Sequence, residues 1–304
     1  MKRRDSAAGA GSSIVRRARF GDVAIHALLM LSAFLSVAVT LGIVVILVNE
    51  SILFFGNEDV RLIDFITQRE WQPMIGNFGL LPLLNSTVMT STIAVLTAMP
   101  IGIAVAIYLS EYATRKTRSI LKPILEVLAG IPTVVYGYFA ITFMTPFLRS
   151  IFGEGVVEIY NTASAGIVIG ILILPLITSM AEDALNAVPV SLREAAYGLG
   201  ATKMETSVRV VLPAAFSGLA AAFIVGLSRA IGETMIVALA AGAGPNFTLN
   251  PFKAAETITG YIVRISGGDV GYNTVDYNSI FALGLVLFII PLILNMISRR
   301  IVEK

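Results

Sequence analysis

The sequence predicts an all-α membrane protein with six transmembrane helices, and three observations carry that prediction. Hydrophobic residues make up 56% of the chain and charged residues only 14%, against roughly a quarter charged in a soluble domain. Mean hydropathy is accordingly high, at +0.82. Apolar residues also gather into runs near the about 20 residues needed to cross a bilayer. These are Val23–Val48, Thr87–Leu109, Ile124–Phe147, Ala165–Met180, Ala214–Ala243 and Ile280–Ile297. The runs are continuous rather than alternating, which selects helices over barrel strands. Third, Lys and Arg are segregated between the loops that join the runs.

The first run has a basic flank of Lys2, Arg3, Arg4, Arg16, Arg17 and Arg19. Its apolar stretch far exceeds the roughly 7–15 residues of a signal-peptide core, so it reads as an uncleaved anchor. His26, the lone histidine, sits at the basic end of this run and reads as a packing or interfacial residue. Glycines and serines among the first dozen residues suggest disorder there. After the second run come Arg115, Lys116, Arg118 and Lys122, and after the fourth come Arg193, Lys203 and Arg209. The C-terminal end adds Arg299, Arg300 and Lys304, whereas the alternate loops hold only Arg61, Arg69, Arg149, Lys253 and Arg264. Positive residues favour the cytoplasmic side, which places both termini and residues 189–213 there. The expected organisation is a basic tail over 1–22, a six-span domain over 23–298 and a short end over 299–304.

Residues 189–213 are polar, yet they lie between two apolar runs. Ser191 to Glu194 and Thr202 to Glu205 each fit a capping box, with a hydroxyl at the N-cap and a carboxylate three residues on. Gly198 and Gly200 lie between them, where a helix C-cap turn is wanted. Pro189 precedes the first start, and Pro213 falls where a second helix passes into the fifth run. Two short helices joined at a glycine turn are therefore expected to project from the membrane. Ala195 and Ala196 keep one face small enough to enter a groove, which capping alone does not require. The plainer reading is a capped connector.

The fifth run contains Ser228-Arg-Ala-Ile-Gly-Glu-Thr234. Arg229 lies near its centre, where a charge costs roughly 2.5–3.5 kcal/mol on insertion scales. Glu233 follows four residues later, on the same helix face, and can pair with it. Two readings are open. The pair is either a self-neutralising packing device, which apolar residues often replace at little cost, or part of a substrate path. Intramembrane charges usually mark such a path, and the planar donor fork of Arg suits an oxyanion. Ser228 and Thr234 would then line the path as well. In the third run, Pro132 is expected to kink the helix, while Gly130 and Gly137 allow close neighbours. Thr133 and Tyr136 place hydroxyls there as pathway candidates, although Pro, Gly and Tyr are ordinary in membrane helices.

These residues carry a family resemblance. Glu194-Ala195-Ala196, three residues, Gly200, nine residues, Val210, one residue and Leu212-Pro213 resemble the EAA loop of ABC importer permeases. Val210 departs from the Ile usual in that family, a change of one methyl group. SRAIGET at 228–234, AGIPTVVYG at 129–137 and the loop together resemble Pst-type phosphate permeases. The similarity continues through Glu70 to Pro73, Phe78 to Pro82, Ile280 to Gly284 and Asn295. It covers most of residues 60–302 and leans toward the C-type subunit over its A-type paralogue.

The resemblance implies a type I importer permease in a bacterial cytoplasmic (inner) membrane, with cytoplasmic coupling helices. It implies a homologous A-type permease as partner, two ATPase subunits below and a periplasmic or surface phosphate-binding protein above. Glu194, Ala195, Ala196, Gly200, Leu212 and Pro213 would then meet an ATPase. A permease for molybdate or sulfate, and an ATP-independent transporter or channel, are the alternatives.

The outer loops are modest. Trp71 reads as either an interfacial anchor or a docking contact, and Lys253 to Ile265 has helical spacing suited to the membrane surface. Cysteine is absent, so disulfides and thiolate metal sites are excluded. No Gly-x-x-x-x-Gly-Lys-Ser/Thr loop occurs to cradle a nucleotide, and one histidine makes a Ser/His/Asp triad untenable. No enzyme activity or cofactor is expected of this chain, ATP being bound by the partner ATPase.

Overall fold

The computed structural model describes residues 20–58, 60–268, 271 and 274–302. The basic tail from Lys2 to Arg19, and Lys304, lie outside them. The chain divides into two units, residues 1–46 and 47–304. What is described of the first is part of one helix, α1 (Phe20–Phe55), up to Ile46. Its side chains from Ala24 onward are mostly apolar and exposed. Ser32 and Thr40 donate their hydroxyls to the carbonyls of Leu28 and Ser36, each at 2.9 Å. Bonds back to the preceding turn let a hydroxyl sit in an apolar helix.

The second unit begins with the last turns of α1 and a short α2 (Leu62–Thr67). A two-residue antiparallel pair follows, β1 (Trp71–Gln72) with β2 (Asn77–Phe78). Next come α3 (Leu81–Ile107), which continues through a π-helical turn to Tyr112, and α4 (Arg115–Gly130). The third span consists of α5 (Thr133–Phe139), a π-helical turn and α6 (Thr145–Phe152). The fourth is α7 (Thr162–Asn186).

Residues 189–213 hold α8 (Val190–Gly198) and α9 (Lys203–Thr206), and α10 (Leu212–Ala214) closes them. Beyond lie α11 (Phe216–Ile231), α12 (Met235–Ala240), α13 (Ile258–Ser266) and α14 (Val275–Val302). Among the described residues, five helices are long and apolar enough to cross a membrane. A sixth span arises if Lys203–Ala214 and Phe216–Ile231, bent by 70°, count as one.

The core forms where α3 lies along α7. Gly166 and Gly170 of α7 stand one turn apart, and a Cβ on either would meet Ile93, Thr90 or Ala94 at under 3 Å. Small residues at this spacing let two membrane helices approach backbone to backbone. Ala94, Ala98, Ala165, Val168 and Ile169 fill the seam, fully buried. Buried Ser86, Thr87, Thr90 and Ser91 on α3 return hydroxyl bonds to their own helix.

Several expectations need correction. The third run does not form one span over Ile124–Phe147. It splits at Ile131 and Pro132, where Pro132 has extended backbone (ψ 136°) and caps α5. The preceding α4 is amphipathic and carries Lys and Arg, so only Thr133–Phe152 qualifies as a span. The fifth run breaks too, at Gly232-Glu233-Thr234 between α11 and α12.

Trp71 is neither an exposed anchor nor a docking contact. It is 1% exposed, edge-on to Phe65, Phe78 and Tyr261 with ring centroids 5.2–6.2 Å apart. Aromatic pairs favour such edge-to-face packing. The segment from Lys253 is helical only over Ile258–Ser266, because Thr257 caps it by accepting from the Gly260 N–H. Its first turn is buried rather than laid on a surface.

Candidate functional site

Arg229 occupies the last turn of α11, and Glu233 lies within the break. A cation at a helix C-terminus is favoured by the helix dipole. Arg229 Nη1 donates to Glu233 Oε2 at 2.7 Å. The pair is lopsided: the Arg229 side chain is 44% exposed and that of Glu233 only 3%. The break is held from outside, because the Thr259 hydroxyl of α13 donates to the Glu233 carbonyl at 2.7 Å. Ser228 Oγ is buried beside it without a protein partner, and Thr234 Oγ1 donates to Gly232 O at 3.1 Å. In secondary transporters, helices broken near the membrane midplane turn their half-helix ends to the substrate.

Arg229 opens onto a cavity of about 550 Å³ between α4, α7 and α11. Its polar wall is Lys122, Glu126, Thr178, Ser179 and Glu182. Glu182 on α7 is 1% exposed. Lys122 Nζ lies 3.0 Å from its Oε2 and Arg118 Nε 3.5 Å from its Oε1. Sequence reading missed Glu182, which lies just past the end of the fourth apolar run.

Thr133 and Tyr136 do not line this cavity. Tyr136 is buried and donates its hydroxyl to Leu128 O at 2.8 Å, beside a small apolar hollow. Gly137 lets α5 press against Leu239 and Met235 of α12, since a Cβ there would lie 2.7 Å from Leu239.

Residues 189–213 form a second site at one end of the bundle. The box at Thr202 is present, with Thr202 Oγ1 accepting from the Glu205 N–H and Glu205 Oε2 from the Thr202 N–H. Those bonds hold the Glu205 carboxyl below its ordinary range, the Thr202 backbone N–H being the chief cause. The box at Ser191 is not formed. α8 starts two residues early, with Pro189 as N-cap and no side-chain cap, so Ser191 lies inside the first turn. Glu194 consequently lies too far along the helix to reach back.

α8 ends in a Schellman motif: Gly200 N–H donates to Tyr197 O and Ala201 N–H to Ala196 O. Gly200 has φ +85°, which L side chains adopt at a cost. Ala195, Ala196 and Gly200 share a hollow of about 520 Å³ with Leu192, Leu199 and Arg209. Leu199 projects from its rim, 90% exposed. Leu212 and Pro213 lie elsewhere, on an apolar hollow with Phe216 and Met99, and Glu194 is exposed outside both.

What fixes α8 to the bundle was not legible in the sequence. Arg193 donates from Nε and Nη2 to Glu111 Oε1 (3.1 and 2.9 Å), and also to the carbonyls of Val188 and Leu185. It thereby ties α8 to the ends of α3 and α7, with both side chains mostly buried. Lys203 of α9 stacks over Tyr112 at 4.9 Å, on the same end of α3.

This arrangement of spans, broken helix and projecting helices has counterparts. Residues 98–304 match the family described as binding-protein-dependent transport system inner membrane component. The chain belongs to that family.

Members of it are membrane permeases. The chain is 34% identical to the probable ABC transporter permease protein YqgH of Bacillus subtilis (strain 168), covering 91% of this chain and 88% of that one. It is 32% identical to the phosphate transport system permease protein PstC of Mesorhizobium japonicum, covering 95% and 92%. A probable PstC from Methanocaldococcus jannaschii is also 32% identical, covering 78% and 80%. Among solved structures, a bacterial alginate ABC transporter chain superposes with a TM-score of 0.62 at 17% identity, covering 94% and 99%. A chain of the inward-facing MetNI methionine transporter gives 0.54 at 22%, covering 77% and 98%. The fold is thus that of type I ABC importer permeases.

Proposed function

We propose that this chain is the C-type permease subunit of an ATP-driven phosphate importer. Arg229 carries the reading: a half-exposed guanidinium at a helix break, its charge balanced by buried Glu233, facing a cavity. A guanidinium offers a planar fork of N–H donors to a tetrahedral oxyanion, and relatives named as phosphate permeases align over most of the chain. Glu233 takes one donor and leaves the others free for a passing anion.

In this reading residues 189–213 and both termini are cytoplasmic, following the basic residues. An ATPase docks on the hollow beside Gly200 and the exposed Leu199. A homologous A-type permease completes the pathway, two ATPase subunits bind the nucleotide, and a phosphate-binding protein delivers substrate on the outer side. ATP-driven closure of the ATPases moves α8 and α9, and Arg193 passes that motion to α3 and α7.

The test is uptake of radiolabelled phosphate into proteoliposomes that hold the complete transporter. Uptake is expected to require ATP and to persist in excess sulfate or molybdate. Uptake without ATP, or suppression by molybdate, would overturn the reading in favour of a secondary transporter or another oxyanion permease.

A further inference from the structure

We infer that the cavity holds a second oxyanion station at Lys122, which takes the same tetrahedral anion after it leaves Arg229; this rests on the phosphate-import reading. Arg229 is half exposed to the cavity and its carboxylate partner is buried, at 44% and 3%. Lys122 repeats that arrangement with Glu182, at 43% and 2%. Both cations line the same cavity.

The second pair is also incompletely neutralised. Glu182 is shared with Arg118 through Nε at 3.5 Å and with Asn186 Nδ2 at 3.5 Å. Arg118 is itself fixed, because its Nη2 donates to the carbonyls of Leu109 and Ser110. One buried carboxylate therefore serves two cations, and Lys122, the one that lines the cavity, keeps unspent N–H donors on its wall. Thr178 lies fully buried on that wall with its Oγ1 unpartnered, and Ser179 lies beside it.

The chemistry suits a site that must release its ligand. An ammonium is a point charge without the bidentate fork, so it holds an oxyanion more loosely than Arg229 does. Glu182 and the exposed Glu126 keep the positive field from becoming a trap. Conduction needs each site to bind strongly enough to admit the ion and weakly enough to release it.

The test uses the complete transporter and three variants, of which Lys122→Gln and Glu182→Gln should shift phosphate binding in opposite directions. Lys122→Gln is expected to lower the maximal phosphate uptake per inserted complex about tenfold, the scale of one lost charge-assisted contact. Lys122→Arg keeps the charge and should restore most of the rate. Glu182→Gln frees both cations, so the purified complex should bind radiolabelled phosphate more tightly than wild type while importing it more slowly. A mere strut between α4 and α7 predicts the same sign for both, with lower yield and no gain in binding.

Wild-type uptake by Lys122→Gln, or phosphate binding by Glu182→Gln no tighter than wild type, would overturn the station. Should Glu182→Gln fail to insert, the Lys122→Gln and Lys122→Arg pair decides alone, since Lys122 is only partly buried on α4. The wild-type control separates the two claims, because a wild-type complex that imports no phosphate overturns the function itself.

Discussion

Two ion pairs in this molecule share a composition and differ in construction. Arg229 and Glu233 lie four residues apart across one helix break, and the arginine is half open to a cavity. Arg193 and Glu111 come together across 82 residues, at 14% and 6% exposure, with three of the arginine's nitrogens committed to protein acceptors. An open pair can exchange its partner for a passing anion. A closed one cannot, and serves instead to make two elements move together. On the proposed function, the same residue types serve as a binding site in one place and a joint in the other, and accessibility separates the two pairs.

The largest effect on assembly that would sharpen this contrast is expected from Glu233→Gln. It strands a guanidinium that stays charged at any ordinary pH. Losing one partner of a fully buried pair costs about 3–5 kcal/mol, and the half-exposed Arg229 lowers that figure. Inserted protein should fall several-fold relative to Arg229→Gln, read by quantitative blotting of washed membranes. Equal insertion of the two variants would mean that the break tolerates an unbalanced charge.

Arg193→Ala comes next. It releases α8 from α3 and α7, so ATP hydrolysis by the assembled transporter should persist while uptake falls about tenfold, the scale of a lost charged hydrogen-bond cluster. ATPase activity and uptake measured on the same vesicles check this. Unchanged coupling would make the pair a packing contact and erase the contrast drawn above.

Gly200 offers a smaller, local probe. Open space surrounds its Cβ position, so strain at φ +85° rather than a clash sets the cost of Gly200→Ala, about 1–2 kcal/mol for a left-handed residue. Gly200→Trp adds bulk in the hollow and should lower uptake several-fold, with insertion intact. Retention of ATPase by each variant after affinity purification separates strain from blocked docking.

The smallest effect concerns Glu205. Its carboxyl is held low by Thr202 in the folded state. Its contribution is therefore present above the ordinary carboxylate value and lost as pH falls through the lowered one. Amides of α9 should exchange faster in Glu205→Gln than in wild type near neutrality, and the difference should shrink on acidification. A difference independent of pH would assign the cap to the hydroxyl alone.

Legibility in the sequence followed the range of the interaction. The Arg229–Glu233 pair, the Thr202 box and the Gly200 turn each span a few residues, and spacing alone located them. The joint at Arg193 and the cluster at Glu182 are tertiary, and Arg118 and Lys122 registered only as markers of membrane sidedness. Hydropathy also hid the break in the fifth run, because Gly232 and Thr234 are unremarkable within an apolar stretch. Ser191 shows a local rule overridden: Pro189, already extended at ψ 137°, starts α8 two residues early.

The central claim is that Arg229 handles the substrate while the 189–213 segment handles the ATPase. It is tested most directly by phosphate uptake per assembled complex in Arg229→Gln. The variant leaves no permanent cation in the span, so it should insert and retain its ATPase as wild type does. Uptake should nevertheless fall about tenfold to a hundredfold, the span that one lost charged hydrogen bond covers. Wild-type uptake by that complex would contradict the account and return the pair to helix packing.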